Sequence, residues 1–265
     1  MSNSIHSRAE IPGARRIVVK VGSSSISGAN VGQIGPLVDA LAAAHARGSE
    51  VILVSSGAIA TGIPYLKLDA RPTDLATQQA AAAVGQNVLI YRYQESLDRY
   101  SIVAGQVLLT AGDLENPTHR SNAQRAMERL LGLRILPIVN ENDTVATQEI
   151  RFGDNDRLAA LVSQLVGADL LVLLSDVDAL YTLPPSEPGA RKIAQVPFDD
   201  DLAGVAFGDI GAAGVGTGGA GTKVAAAKLA AASGTPVLLA ATGQVAEALA
   251  GADIGTWFEA APSEG

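Results

Sequence analysis

The chain has 265 residues, of which 48% are hydrophobic, 17% charged and none cysteine. The lack of cysteine excludes a thiolate nucleophile, a cysteine-type zinc site and a disulfide framework. A net charge of −8 and a pI near 4.9 argue against an extended nucleic-acid or anionic-membrane surface, while leaving room for a small basic pocket.

Residues 1–14 (MSNSIHSRAEIPGA) read as a flexible polar lead-in without the apolar stretch of a signal peptide, so a cytoplasmic location is expected. Strand and helix patterns then alternate. RIVVKV (16–21) precedes an amphipathic segment at 31–47 that stops at Gly48. VILV (51–54) leads to an alanine-rich helix over 73–100. Strand 102–109 precedes helix 119–131, and strand 134–139 precedes a polar loop and helix 154–166. Strand 170–174, helix 222–233 and strand 236–239 follow. Continuous apolar strands separated by helices of about 10 or more residues are what a parallel sheet covered on both faces requires. The expected fold is a three-layer α/β/α sandwich with a mainly parallel open sheet, occupying residues 15–260, with 261–265 as a short tail.

In such folds ligands bind beyond the carboxyl ends of the strands. The residues there are polar or glycine: Gly22-Ser23-Ser24-Ser25, Ser55-Ser56-Gly57, Asn140-Glu141-Asn142-Asp143 and Ser175-Asp176. Strand-to-helix turns favour Ser, Asn, Asp and Gly as caps in any protein, so the weight lies in their joint occurrence. Lys20, inside an apolar strand, is costly unless its ammonium meets a partner or ligand; the alternative is an edge-strand lysine reaching water. Gly22 and Ser23 behind it offer an anion site. The segment Gly218, Gly219, Ala220, Gly221, Thr222, Lys223 is a glycine-rich approach to a helix whose first turn carries a cation, a plausible phosphate cradle. It overlaps a GxGxxG at Gly214, Gly216 and Gly219, but no strand immediately precedes that, which argues against a dinucleotide site. Asp154, Asn155 and Asp156 open a helix and could bind a cationic group, orient a lysine or help hold Mg²⁺. His6, His45 and His119 are scattered and read as non-catalytic, and Asp199-Asp200-Asp201 reads as a solvated turn and cap. Two lysines, anion loops and carboxylates at strand ends point to phosphoryl transfer with a divalent cation, without naming the acceptor.

Five segments stand in one order: VKVGSSS (19–25), VSSGAIATG (54–62), VNENDTVAT (139–147), GDNDRLAALVS (153–163) and GTGGAGTK (216–223). Together they resemble the glutamate 5-kinases of the amino acid kinase family, with NENDTV and GDNDRL the specific segments. Aspartokinases carry a KFGGTS-like opening, and acetylglutamate and uridylate kinases have triple-glycine turns where this chain has Ser55-Ser56-Gly57. The resemblance implies the amino acid kinase fold and ATP-dependent phosphorylation of the γ-carboxylate of L-glutamate with Mg²⁺, the first step toward proline. It implies that Ser56, Asp143 and Asn155, with Asp154, bind glutamate. Lys20, Ser175, Asp176 and the loop Thr217, Gly218, Gly219, Ala220, Gly221, Thr222, Lys223 would bind ATP. Lys20 and Lys223 would neutralise the transferring phosphoryl, with Asp156 orienting the lysines or the metal. It further implies a homodimer or tetramer with L-proline as feedback inhibitor. Two departures stand out: many members carry a C-terminal PUA domain, which is not expected within these 265 residues, and a GGM loop where this chain has Gly218-Gly219-Ala220. The alternatives are a kinase of the same fold for another carboxylate or carbamate, or a non-catalytic amino-acid sensor.

Overall fold

The computed structural model describes residues 5–146, 155–205 and 219–262. The chain-order elements are β1 (Arg16–Val21), α1 (Ile34–Ala46), β2 (Glu50–Ser55), α2 (Ala58–Gly62), α3 (Leu75–Asp98), β3 (Ala104–Leu109), α4 (Ala111–Glu115), α5 (Pro117–Gly132) and β4 (Leu136–Glu141). They continue with α6 (Asn155–Val166), β5 (Leu170–Ser175), the short pair β6 (Leu180–Tyr181) and β7 (Lys192–Ile193), β8 (Gln195–Val196), α7 (Ala220–Ala232), β9 (Val237–Ala241), α8 (Val245–Leu249) and β10 (Thr256–Phe258). Eight strands form one sheet in the order β3-β4-β2-β1-β5-β9-β10-β8. Pairing is parallel from β3 through β9, and only the β9–β10 pair is antiparallel. The expected three-layer architecture is therefore the observed one.

Strand periodicity sorts the core. Side chains alternate between the two faces of a strand, and Ile17, Val19 and Val21 of β1 pack with residues of α1, α3 and α8. Val18 turns the other way and packs with α5, α6 and α7. Lys20 shares the parity of Val18, so its side chain emerges on the α6/α7 face. β1 is hydrogen-bonded on both sides, with Lys20 opposite Val54 of β2 and Leu173 of β5. The edge-strand alternative for this lysine is thereby excluded.

Three sequence expectations are corrected in detail. The lead-in is packed from Ile5 onward: Arg8–Gly13 form a 3-10 helix, Ile11 is fully buried, and Arg8 Nε donates to Ile254 O at 2.8 Å. The helix expected from residue 31 is a 3-10 turn over Gly28–Gln33 followed by α1. Pro36 has no N–H to donate, so it suits only the first turn of an α-helix. The strands β6, β7, β8 and β10, two or three residues each, were not anticipated; they are too short to carry a periodic signature. Among the described residues no helix is long and apolar enough to cross a membrane.

The approach of α2 to α3 is set by two glycines. A Cβ at Gly62 would lie 1.9 Å from Ala81 O, and one at Gly85 would lie 1.8 Å from Ala58 O. Backbone stands where either side chain would go, so no rotamer change relieves the clash. Because α2 follows directly on Ser56-Gly57, this packing ties α3 to the strand-end rim. Gly85→Ala is expected to destabilise the protein by about 3 kcal/mol, the upper part of the usual overpacking range. A urea unfolding midpoint unchanged from that of the unmodified protein would contradict this packing account.

Candidate active site

Three elements converge at one carboxylate. Asp156, in the first turn of α6, is fully buried and places Oδ1 2.5 Å from Lys20 Nζ and Oδ2 3.0 Å from Lys223 Nζ. Lys20 comes from the end of β1, and Lys223 from the first turn of α7. An acidic residue suits a helix N-terminus, whereas a lysine there faces the positive end of the helix dipole. Asp156 offsets that repulsion for Lys223 and supplies the counter-charge for Lys20, which is 1% exposed. Two ammoniums on one carboxylate leave a local charge of +1 in a chain of net −8. The sequence holds only five lysines, and two of them meet here.

Gly22 lies against this cluster: a Cβ there would sit 3.9 Å from both Lys20 Nζ and Ser24 Oγ. Ser24 and Ser25 donate to Oδ2 and Oδ1 of Asp176 at 2.8 and 2.9 Å, and Asp176 directly follows β5. Thr242, just past β9, donates to Ser25 Oγ at 2.9 Å and lies 3.3 Å from Ser175 O. The ends of β1, β5 and β9, neighbours in the sheet, are thus laced together. The Ser23 carbonyl accepts from Ser27 Oγ at 2.7 Å, closing the turn after β1.

On the other side of β1, Ser56 N donates to Val21 O at 3.1 Å. Gly57 has φ +99, a left-handed value that favours glycine, and a Cβ there would meet Ser23 Cα at 3.5 Å. Ser55 Oγ donates to Ser56 O at 3.1 Å and is 2.9 Å from the hydroxyl of Tyr93. With the serine proton so used, the tyrosine is the donor. Complete burial pushes the Tyr93 hydroxyl far above its ordinary pKa, keeping it protonated for that bond.

A chain of amides completes the rim. Asn155 Nδ2 donates to Ser55 O and to Asn140 Oδ1, both at 2.7 Å. Asn140 Oδ1 also accepts from Glu141 N at 2.8 Å, and its Nδ2 donates to Gln86 Oε1 at 2.6 Å. Asp143 lies half-buried in the turn after β4, where Gln79 Nε2 donates to Ala146 O at 3.3 Å.

Of the residues singled out in the sequence, Lys20, Asp156 and Lys223 are in direct contact, with Asn155 beside them at the start of α6 and Ser56 just past the end of β2. Gly22, Ser23, Ser175 and Asp176 form the neighbouring rim. Gly219 caps α7 and accepts from Thr222 Oγ1 at 2.9 Å, with Ala220 and Gly221 between them. Asp154, Thr217 and Gly218 lie outside the described residues, as do Gly214 and Gly216. Asp200 Oδ1 and Asp201 Oδ1 accept from the amides of Leu202 and Ala203, as a turn and cap would. Sequence reading missed Gln86, Tyr93 and Thr242. Gln86 alone left a usable signal, being seven residues from Gln79 on an alanine-rich helix and therefore on the same face.

Comparison with known proteins identifies the class. The chain belongs to the amino acid kinase family, whose sequence profile matches residues 15–241. Within it, the chain is 79% identical over 252 residues to the glutamate 5-kinase of Clavibacter sepedonicus, covering 95% of this chain and 97% of that protein. The glutamate 5-kinase of Leifsonia xyli subsp. xyli is 76% identical over 255 residues, with 96% and 94% covered. That of Streptomyces coelicolor is 56% identical over 251 residues, covering 93% of this chain but 67% of that protein. Carbamate kinase from Giardia lamblia bound to AMP-PNP superposes with a TM-score of 0.68 at 16% identity, over 94% of this chain and all of that one, a likeness of fold.

Removing the bridging carboxylate leaves two buried ammoniums facing each other. Asp156→Ala is therefore expected to lower unfolding stability by about 3–5 kcal/mol, the usual effect of stripping one partner from a buried ion pair. Chemical denaturation reads this directly, and a loss below about 1 kcal/mol would contradict the bridging role.

Proposed function

We infer that this chain is a phosphotransferase that transfers the γ-phosphoryl of ATP to the γ-carboxylate of L-glutamate, giving L-glutamyl 5-phosphate and ADP, the first step of proline biosynthesis. The observation that carries this reading is the Lys20–Asp156–Lys223 cluster at the carboxyl ends of the strands, in a chain closely similar to glutamate 5-kinases. A carboxylate with a free pKa of about 4.3 is already ionised near neutral pH, so no general base is required. A γ-carboxylate oxygen attacks the γ-phosphorus, the bond to the β–γ bridging oxygen breaks, and the electron pair leaves with ADP. What the protein must supply is alignment of two anions and neutralisation of the charge between them.

Lys20 and Lys223 take that task. The shared carboxylate fixes both ammoniums, so little reorganisation is needed when the phosphoryl group moves. The N-terminus of α7 adds its dipole to the same anion, and Gly22 lets backbone approach it closely. Gly219, Ala220, Gly221 and Thr222, together with Ser175 and Asp176, are assigned to the nucleotide, with the serine bonds to Asp176 holding the β1 turn in shape. Ser56, Asp143 and Asn155 are assigned to glutamate. No cluster of three or more acidic or histidine side chains among the described residues forms a metal cage. Mg²⁺ needs none, because it binds through substrate phosphates, water and one or two carboxylates. A site whose own lysines are cationic would fit a metal that arrives with the nucleotide. When bound, Mg²⁺ would supply further neutralisation of the phosphate charge. By resemblance we also propose a cytoplasmic homo-oligomer, dimer or tetramer, inhibited by L-proline.

A hydroxamate assay with L-glutamate, ATP and Mg²⁺ tests the reading: folded protein is expected to give γ-glutamyl hydroxamate, and none above background would refute it. Aspartate and carbamate in parallel separate the other acceptors of the same fold. In that assay Lys223→Ala is expected to lower kcat by about 10²–10³ with the far-ultraviolet spectrum retained; near-normal turnover would remove this lysine from the chemistry.

A further inference from the structure

Gln86 has a donor that the protein leaves unused. The residue is 8% exposed, and its Nε2 is buried without a hydrogen-bond partner. Such a group costs free energy in a folded protein and calls for an explanation. The polarity of the amide chain shows why it is Nε2 that remains. Ser55 O can only accept, so Asn155 must turn Nδ2 toward it. Glu141 N can only donate, so Asn140 must present Oδ1, which then also receives Asn155 Nδ2. Asn140 Nδ2 is left to donate to Gln86 Oε1, and Gln86 is left with two N–H donors. Two backbone groups therefore set the orientation of all three amides.

The direction of the chain locates the donor. Asn155 adjoins Asp156 and the lysines, and the relay runs from it to β4, two strands from β1 and so about 10 Å away at ordinary strand spacing. The γ-carboxylate of glutamate must meet the phosphoryl group at the lysines, so the other end of the amino acid extends along the relay. We propose that Gln86 binds the α-carboxylate of the substrate amino acid through its Nε2 amide, making it a specificity residue of the site; this rests on the glutamate kinase reading above. Asn155 has committed both Nδ2 hydrogens, so its Oδ1 is the atom left for the α-ammonium.

Two variants and two substrates test the assignment. Gln86→Glu keeps an acceptor for Asn140 Nδ2, and so the relay, but replaces the donor with a like charge. Gln86→Met removes the polar groups at similar volume. Both are expected to raise KM for L-glutamate by about 10- to 100-fold, the worth of a charge-assisted hydrogen bond, with KM for ATP within about twofold. L-Glutamic acid α-amide, which retains the γ-carboxylate but not the α-carboxylate, is expected to be used about equally by the unmodified protein and by Gln86→Met. An unchanged KM for glutamate in Gln86→Glu, or an equal loss for both substrates, would overturn the assignment. Absence of hydroxamate from the unmodified protein with glutamate would instead overturn the function on which it rests.

Discussion

The buried carboxylate of Asp156, shared between Lys20 and Lys223, is the interaction on which the rest of the site depends. A buried ammonium near the end of a central strand is tolerable only with a counter-charge at hand. Supplying it from the first turn of α6 fixes where that helix must begin relative to β1. The second oxygen then draws in α7, so one side chain sets three elements in register. The arrangement contributes no obvious surplus of stability, since desolvating three charges costs about as much as their attraction returns. What it does provide is two cations held in fixed positions at the end of the sheet.

The same device recurs around the rim in milder form. Asp176 holds the turn after β1 through two serine hydroxyls, and the amides of Asn155, Asn140 and Gln86 link β2, β4, α6 and α3. Beyond the sheet's own ladder, side chains bond the ends of β1, β5 and β9 to one another and the end of β2 to β4. The glycines at 62 and 85 belong to this design, because they let α2 and α3 approach closely and Gln86 is the residue next to Gly85 on α3. Rigidity at the site thus comes from packing beneath it as well as from polar contacts within it.

Much of this was legible before the structure. The central strands are long apolar runs, and the helices that cover them are long enough to show their periodicity. Lys20 stood out because few charges interrupt the core. Asp156 could be given a role only in general terms, because its meeting with Lys20 and Lys223 joins residues 136 and 67 positions away in sequence. Gln86 was legible only in part: its spacing from Gln79 places the two glutamines on one helix face, but its hydrogen-bond polarity is set by Asn140 and Asn155, which are distant in sequence. The short strands β8 and β10 were missed because pairing, not local pattern, makes them strands. The lead-in was misjudged because its composition is polar while its one apolar anchor, Ile11, is completely buried.

The central claim is that Asp156 acts through the lysines it holds, and a double-mutant cycle on kcat tests it most directly. Asp156→Asn and Lys223→Met would be measured singly and together, with glutamate and ATP saturating. If the carboxylate works by placing the ammonium, the combined loss falls short of the product of the single losses by about tenfold or more, the signature of groups acting as a unit. Single losses that multiply would show that Asp156 and Lys223 act independently and would contradict the account.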